Sequence, residues 1–142
     1  MATAFRAFYS IVAGMALALV LVIVVEQFSA VVHPMPPDVP ETMDEICKHV
    51  ERYPQWVLAV AAAAWGGTAF ASTWVTSRMG GRACAAFVGL ILLAALVFNI
   101  AKLPYPMWFK VATLIAIPAA IYFGGLRSRS RLRASNQPDS PP

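Results

Sequence analysis

The sequence predicts an all-α membrane protein with four antiparallel transmembrane helices and a short helix in the outer loop between the first and second of them. The composition is 59% hydrophobic and 13% charged, whereas soluble domains have about 45–50% apolar and about 25% charged residues. Four apolar segments reach the roughly 20 residues that a helix needs to cross a hydrocarbon core of about 30 Å. Two of the connections are so short that the helices they join must be antiparallel neighbours.

The four spans form one transmembrane domain over residues 1–126. The predicted spans are about 7–29, 55–76, 83–101 and 107–126. A signal peptide would also place a basic residue before an apolar run, but the run after Arg6 is long for one and no small-x-small cleavage site follows it. We therefore expect the first span to be retained. Residues 127–142 are basic and then polar, which is typical of a disordered tail.

The positive charges favour one orientation of the spans. Seven of the eleven lie with the two termini and the loop after the second span: Arg6, Arg78, Arg82, Arg127, Arg129, Arg131 and Arg133. Four lie on the opposite side: Lys48, Arg52, Lys102 and Lys110. Because short cytoplasmic loops are enriched in Lys and Arg, we expect both termini to be cytoplasmic. The net charge of +4 then reflects orientation in a lipid bilayer, and we expect no nucleic-acid partner.

The outer loop, residues 33–54, is long enough for structure of its own. Its first part contains Pro34, Pro36 and Pro37, which favour an extended backbone. Thr42 and Glu45 have the spacing of a capping box, so we expect a short helix to begin there. This helix would lie either on the membrane surface or over the bundle, as a plain connector or as a lid or docking element.

Glu26 is the most informative polar residue, because a carboxylate after nineteen apolar positions is costly unless it reaches water or a partner. The third span runs in the same direction and brings Asn99 to a similar height, and Lys110 lies near the outer end of the fourth. We therefore predict a polar cluster of Glu26, Asn99 and Lys110. It would relay protons or bind a cation; alternatively, Glu26 reaches the interface or forms a structural ion pair with Lys110.

The second span has small residues at strict four-residue spacing: Ala59, Ala63, Gly67 and Ala71. Such a stripe lets membrane helices approach closely. We favour packing within the chain over packing against a second copy, with Trp65 lying across the stripe. The hydroxyl groups of the same span are expected to bond back to their own helix: Thr68, Ser72, Thr73 and Thr76. Four outer aromatic residues are expected to anchor the chain at the headgroups: Tyr53, Trp56, Tyr105 and Trp108.

Motifs of catalysis and metal binding are missing from the sequence. Cys47 and Cys84 form no CxxC pair, and His33 and His49 have no third spaced ligand, so we expect no metal and no cofactor. There is no HExxH, GxSxG or phosphate loop. The leading expectation is a non-enzymatic accessory or assembly component, with a homo-oligomer or a membrane protein as partner. A small transporter or channel subunit is second, and a membrane-embedded enzyme is third.

Three stretches carry a resemblance to a known family. They are the proline run after the first span (Pro34, Pro36, Pro37), the segment Trp65, Gly66, Gly67, Thr68, and Asn99 followed by Pro104, Pro106, Trp108 and Phe109. In these positions the chain resembles small four-span bacterial inner-membrane proteins without an assigned activity. The resemblance implies four spans in a bacterial inner membrane, and it supplies no catalytic residues.

Overall fold

The computed structural model describes residues 2–37 and 42–126, and this part of the chain is built from five α-helices. The helices are α1 (Ala2–Val32), α2 (Met43–Glu51), α3 (Gln55–Gly80), α4 (Arg82–Lys102) and α5 (Met107–Ile121), and a π-helical turn continues α5 over Tyr122–Leu126. Four of them are long and apolar enough to cross a membrane: Thr3–Val32, Gln55–Gly80, Arg82–Lys102 and Met107–Gly125. The predicted all-α, four-span fold is confirmed. The tail at 127–142 lies outside the described residues.

Helix α1 is longer than its predicted span of 7–29. Its 31 residues correspond to about 46 Å at about 1.5 Å per residue, so the helix extends beyond a hydrocarbon core of about 30 Å. Glu26 lies six residues before the end at Val32, or about 9 Å along the axis. This position places the carboxylate in the outer part of the span and not at its centre.

Helix α3 is the centre of the bundle and packs against α1, α4 and α5. The turn from α3 to α4 is a single residue, Gly81, whose φ of 98° is the left-handed conformation that favours glycine. At the same end of the bundle, Arg6 Nε donates a hydrogen bond to Met79 O at 2.6 Å. The beginning of α1 therefore meets the end of α3, as antiparallel neighbours require.

Helices α1 and α3 touch through backbone and hydroxyl groups in the half of the bundle that contains Arg6. On α1, the contact uses Ser10, Gly14 and Ala18, which are four residues apart and all buried. A Cβ atom added to Gly14 would overlap Thr76 Oγ1 and come within 3.2 Å of Ser72 O. The two helices are therefore as close here as glycine permits.

Glycines also tighten the contacts of the π-helical turn with α3. A Cβ atom on Gly124 would lie 2.5 Å from Phe70 O, and one on Gly125 would lie 3.3 Å from Thr73 Cβ. On α4, a Cβ atom on Gly89 would lie 2.5 Å from Ile121 Cγ2. All four spans are consequently packed closely in this half, which we call the inner half.

The stripe of small residues predicted on α3 does not form the close contacts between helices of the chain. Ala59, Ala63 and Gly67 are exposed, Ala71 is half-buried, and a Cβ atom on Gly67 would meet nothing within 4 Å. The expectation that the stripe packs within the chain is therefore wrong, while packing against a second copy stays a prediction.

The face of α3 that does pack bears hydroxyl residues. Thr68, Thr73 and Thr76 donate hydrogen bonds to carbonyls of their own helix, namely Ala64 O at 2.9 Å, Ala69 O at 2.6 Å and Ser72 O at 2.8 Å. The predicted back-bonding is thus present at these three threonines. Ser72 differs, since its buried Oγ has no hydrogen-bond partner among the described residues. With their polar groups satisfied, the threonines pack as small residues.

Gly14→Ala is expected to destabilise the protein because the added methyl group displaces Thr76, whose hydroxyl is bonded to Ser72 O. Overpacking of this kind costs about 1–3 kcal/mol, which should lower the thermal unfolding midpoint by several degrees in detergent. Gly67→Ala is the matched control, since its methyl group meets open space. Equal midpoints for the two variants would contradict the described contact between α1 and α3.

Candidate functional site

A cavity of about 140 Å³ lies between the four spans, from the middle of the bundle toward the end opposite Arg6. Its lining residues are Val22 and Glu26 of α1, Trp65, Thr68 and Ala69 of α3, Leu92, Ala95, Leu96 and Asn99 of α4, and Ile117 of α5. Most of these side chains are apolar, and Glu26 is the one ionisable group among them. The arrangement is that of a binding site inside a helix bundle, with few polar groups on an apolar wall.

The structure brings two of the three predicted cluster residues to this cavity and leaves the third outside. Glu26 and Asn99 both line it, whereas Lys110 is half-buried on α5 and does not. Among the described residues, Glu26 forms no ion pair with Lys110. Lys102 does not line the cavity either, and its Nζ lies 5.7 Å from the ring centroid of Phe98. The candidate site is therefore Glu26 with Asn99, and the two lysines are not part of it.

Asn99 presents a buried acceptor to this site. Its Oδ1 has no hydrogen-bond partner among the described residues. Burying a polar group without a partner costs about 1–3 kcal/mol, and such groups in native proteins commonly have a functional explanation. A rotation of the Asn99 side chain would turn this oxygen into the cavity, where a donor would satisfy it.

A second, smaller cavity of about 30 Å³ lies on the outer side of Glu26. Both cavities are lined by Glu26 and Trp65, and the smaller one adds Tyr53, Tyr105 and Phe109. The carboxylate therefore lies between an apolar chamber and an aromatic cluster. The chamber is on the side of the membrane centre, and the aromatic cluster is on the outer side.

The aromatic cluster is held by direct ring contacts. The ring centroids of Trp65 and Phe109 are 5.6 Å apart, those of Trp65 and Tyr105 are 6.3 Å apart, and those of Tyr105 and Phe109 are 4.6 Å apart. Phe109 is fully buried. The expectation that Trp65 packs across the small-residue stripe is wrong, because its ring packs on Tyr105, in the connection between α4 and α5, and on Phe109 of α5.

Two tyrosines that sequence reasoning treated as membrane anchors belong to the site instead. Burial, and then the nearby Glu26 carboxylate, raise the pKa of Tyr105 well above its usual range. The pKa of Tyr53 is raised by the same two causes in the same order. Both phenols therefore remain protonated at neutral pH and offer O–H groups on the Glu26 side. By contrast, Trp56 and Trp108 are exposed, as interfacial anchors are.

The signal for Tyr105 was its position between two prolines. Pro104 and Pro106 restrict the backbone on both sides, and Tyr105 N donates to Leu103 O at 2.9 Å in a tight turn. This turn directs the ring inward, toward Trp65. Periodicity could not reveal this, because the residue is in a connection and not on a helix face.

Helix α2 lies over the outer end of the bundle. Thr42 is its N-cap and accepts a hydrogen bond from Glu45 N at 3.4 Å, as the capping-box spacing predicted. Val50 is buried, and Cys47 Sγ lies 4.0 Å from Lys102 O at the end of α4. Of the two predicted placements, the structure has the one over the bundle.

A histidine pair joins α2 to the end of α1. The rings of His33 and His49 stack with centroids 4.6 Å apart, and His49 Nε2 lies 3.1 Å from His33 O. Tyr53, which lines the smaller cavity, lies 5.0 Å from the His33 ring and 5.3 Å from the His49 ring. The described residues contain no group of three or more His, Cys, Asp or Glu that would hold a metal ion.

Acidification is expected to loosen α2 from α1. Partial burial, and then the proximity of His49, lower the pKa of His33 from its ordinary value. With α2 docked, His33 therefore binds fewer protons than it does when α2 is released. Docking of α2 is strongest at high pH and weakens as the pH falls through the region below about 6.5. Hydrogen exchange of the α2 amides, expressed as protection factors, should show less protection at about pH 5 than at about pH 7.5.

His33→Gln is the matching variant, because it keeps a polar side chain without a titrating group. Its α2 protection factors should be nearly independent of pH over the same range. A wild-type protein with equal protection at both pH values would contradict the role of the histidine pair.

Comparison of the chain with protein-family models, with curated proteins and with solved structures finds no match.

Proposed function

We propose that this chain is a small transporter or channel subunit that binds a small polar solute inside its helix bundle, with Glu26 and Asn99 as the polar part of the site. The observation that supports this proposal most directly is the cavity of about 140 Å³, lined by all four spans and containing one carboxylate and one buried amide oxygen without a partner. Ionisable residues inside a membrane bundle are costly, and they commonly mark solute pathways.

The cavity favours this function over that of an accessory or assembly component. A protein that only holds partners together needs no carboxylate that lines two cavities, as Glu26 does. A close-packed apolar interior would be more stable. The residues lining the two cavities include no Lys, His or Cys beside Glu26, so the commonest partners of a catalytic carboxylate are missing from the lining. Binding is the chemistry that these residues support.

The two halves of the bundle differ in a way that suits a carrier or a gated channel. The inner half is closed by contacts at Gly14, Gly124 and Gly125, whereas the cavity lies toward the outer end. A solute would reach Glu26 from the outer side and would need a rearrangement of the inner half to pass through. Alternating access of this kind is the general scheme for secondary transporters.

We further propose that the outer end faces away from the cytoplasm of a bacterial inner membrane, with both termini cytoplasmic. The seven-to-four distribution of Lys and Arg supports this orientation.

The two native cysteines provide a test of the orientation. Cys47 is half-buried on α2, and Cys84 is buried near the beginning of α4. A membrane-impermeant maleimide added to intact spheroplasts should label wild-type protein and leave Cys47→Ser unlabelled, while Cys84→Ser is labelled like the wild type. Labelling that requires a permeabilised membrane would reverse the proposed orientation.

The transport function is tested with purified protein in liposomes by following osmotic swelling in methylammonium, urea, glycerol or acetate. At least one of these solutes should enter faster than into protein-free liposomes. Ala95→Trp should fill the cavity that Ala95 lines and reduce that flux by about tenfold or more, which corresponds to a penalty of at least about 1.4 kcal/mol.

Ala94→Trp is the matched control, since Ala94 and Ala95 are both exposed on α4 and only Ala95 is among the cavity residues. Its flux should stay close to that of the wild type. Absence of flux for all four solutes, or equal effects of the two tryptophan variants, would refute the transport proposal.

A further inference from the structure

The charge of the site points to the class of ligand. Among the residues that line the two cavities, Glu26 is the one acid and there is no Lys, Arg or His. The lysines on the same side are engaged or displaced: Lys48 pairs with Glu45 at 2.6 Å, and Lys102 lies over Phe98. An ionised Glu26 therefore has no compensating charge from the described side chains that surround it. A ligand with a positive charge would supply that compensation.

The aromatic surroundings favour an organic cation over a metal ion. Trp65 lines both cavities beside Glu26, and Tyr105 packs against Trp65 on the outer side. Aromatic faces attract ammonium groups, most strongly where water is excluded. A hard metal ion would need several oxygen ligands. The carboxylate and Asn99 Oδ1 provide few, and the other side-chain oxygens of the lining are the neutral hydroxyls of Thr68, Ser29, Tyr53 and Tyr105.

The size and wall of the larger cavity limit the rest of the ligand. Its volume of about 140 Å³ is close to that of an engineered cavity of about 150 Å³ that holds benzene. Val22, Leu92, Leu96 and Ile117 give it an aliphatic wall. The ligand that fits is compact and apolar apart from its charged group.

Asn99 decides between kinds of ammonium group. Its Oδ1 is a buried acceptor without a partner among the described residues, and a rotation of the side chain would turn it into the cavity. A primary ammonium has three N–H donors for it, whereas a quaternary one has none. We infer that the cavity binds a small primary ammonium compound with a compact apolar body, whose ammonium group lies on the side of Glu26 and Asn99. This inference rests on the proposed function in taking the cavity as the binding site, and it adds the ligand class.

Calorimetric titration of the full chain in nanodiscs tests the ligand class with three probes of nearly the same shape. They are tert-butylammonium, the neutral tert-butanol and the anionic pivalate. Saturable binding of tert-butylammonium is expected, with the other two at least about tenfold weaker, a difference of about 1.4 kcal/mol. Tetramethylammonium, which has the charge without donors, should bind more weakly than tert-butylammonium.

Three variants localise the binding. Glu26→Gln keeps the shape of the side chain and should weaken tert-butylammonium binding by about tenfold or more. Asn99→Leu should weaken tert-butylammonium more than tetramethylammonium, because the latter has no N–H for Oδ1 to accept. Glu51→Gln removes the same charge from an exposed position on α2 and should bind tert-butylammonium like the wild type.

The outcomes separate this inference from the proposed function. Equal affinity for tert-butanol and tert-butylammonium, or unchanged binding by Glu26→Gln, would overturn the ligand class and leave the cavity function standing. A solute flux that Ala95→Trp reduces, in a protein that binds no tert-butylammonium, would also overturn the ligand class and leave the cavity function standing. Absence of both flux and binding would overturn both proposals together.

Discussion

The contact of α1 with α3 at Gly14 is the constraint on which the rest of the structure depends. Lipid supplies no hydrophobic force between helices, so their association relies on close van der Waals packing. Gly14 brings α1 against Ser72 and Thr76 of the central helix, and α4 and the end of α5 join the same helix through other small residues. Farther out, Trp65, Leu96 and Ile117 are larger, and the helices enclose the cavity there. Small residues hold the helices close together in the inner half, and larger side chains keep them apart in the outer half. The chamber therefore lies toward the outer face.

The chamber explains how a carboxylate is accommodated in the outer part of a membrane helix. Glu26 pairs with neither Lys102 nor Lys110 in the described part of the chain. It lies instead between an aliphatic chamber and two protonated tyrosines, Tyr53 and Tyr105. A charge in these surroundings is costly without a partner, and this cost is the physical basis of the ligand binding that we propose. Tyr53, which lines the smaller cavity beside Glu26, also contacts the rings of His33 and His49. This tyrosine therefore connects the candidate site to the histidine pair at α2.

Sequence reasoning identified the spans, the N-cap at Thr42 and the common height of Glu26 and Asn99, because these follow from length, capping and helix rise. It chose the wrong face of α3. Four-residue spacing occurs twice on that helix, at Ala59, Ala63, Gly67 and Ala71 and again at Thr68, Ser72, Thr76 and Gly80. Both faces of a membrane helix are apolar, so hydrophobicity cannot distinguish them. The partner stripe Ser10, Gly14 and Ala18 on α1 was the available clue, since hydroxyl and glycine residues meet there. The inward turn of Tyr105 depends on tertiary contacts that no spacing rule contains.

Our proposal is that the outer half of the bundle holds an accessible chamber and the inner half is closed. It is tested most directly by the reactivity of single cysteines at positions 95, 94 and 73, in a chain whose Cys47 and Cys84 are replaced by serine, toward a membrane-impermeant thiol reagent added from the outer side. Ala94 and Ala95 are both exposed, but only Ala95 lines the chamber, and Thr73 is fully buried in the inner half. This arrangement predicts that the cysteine at 95 reacts, that tert-butylammonium slows this reaction, and that those at 94 and 73 stay unmodified. Equal reactivity at 95 and 94, or rapid reaction at 73, would contradict it.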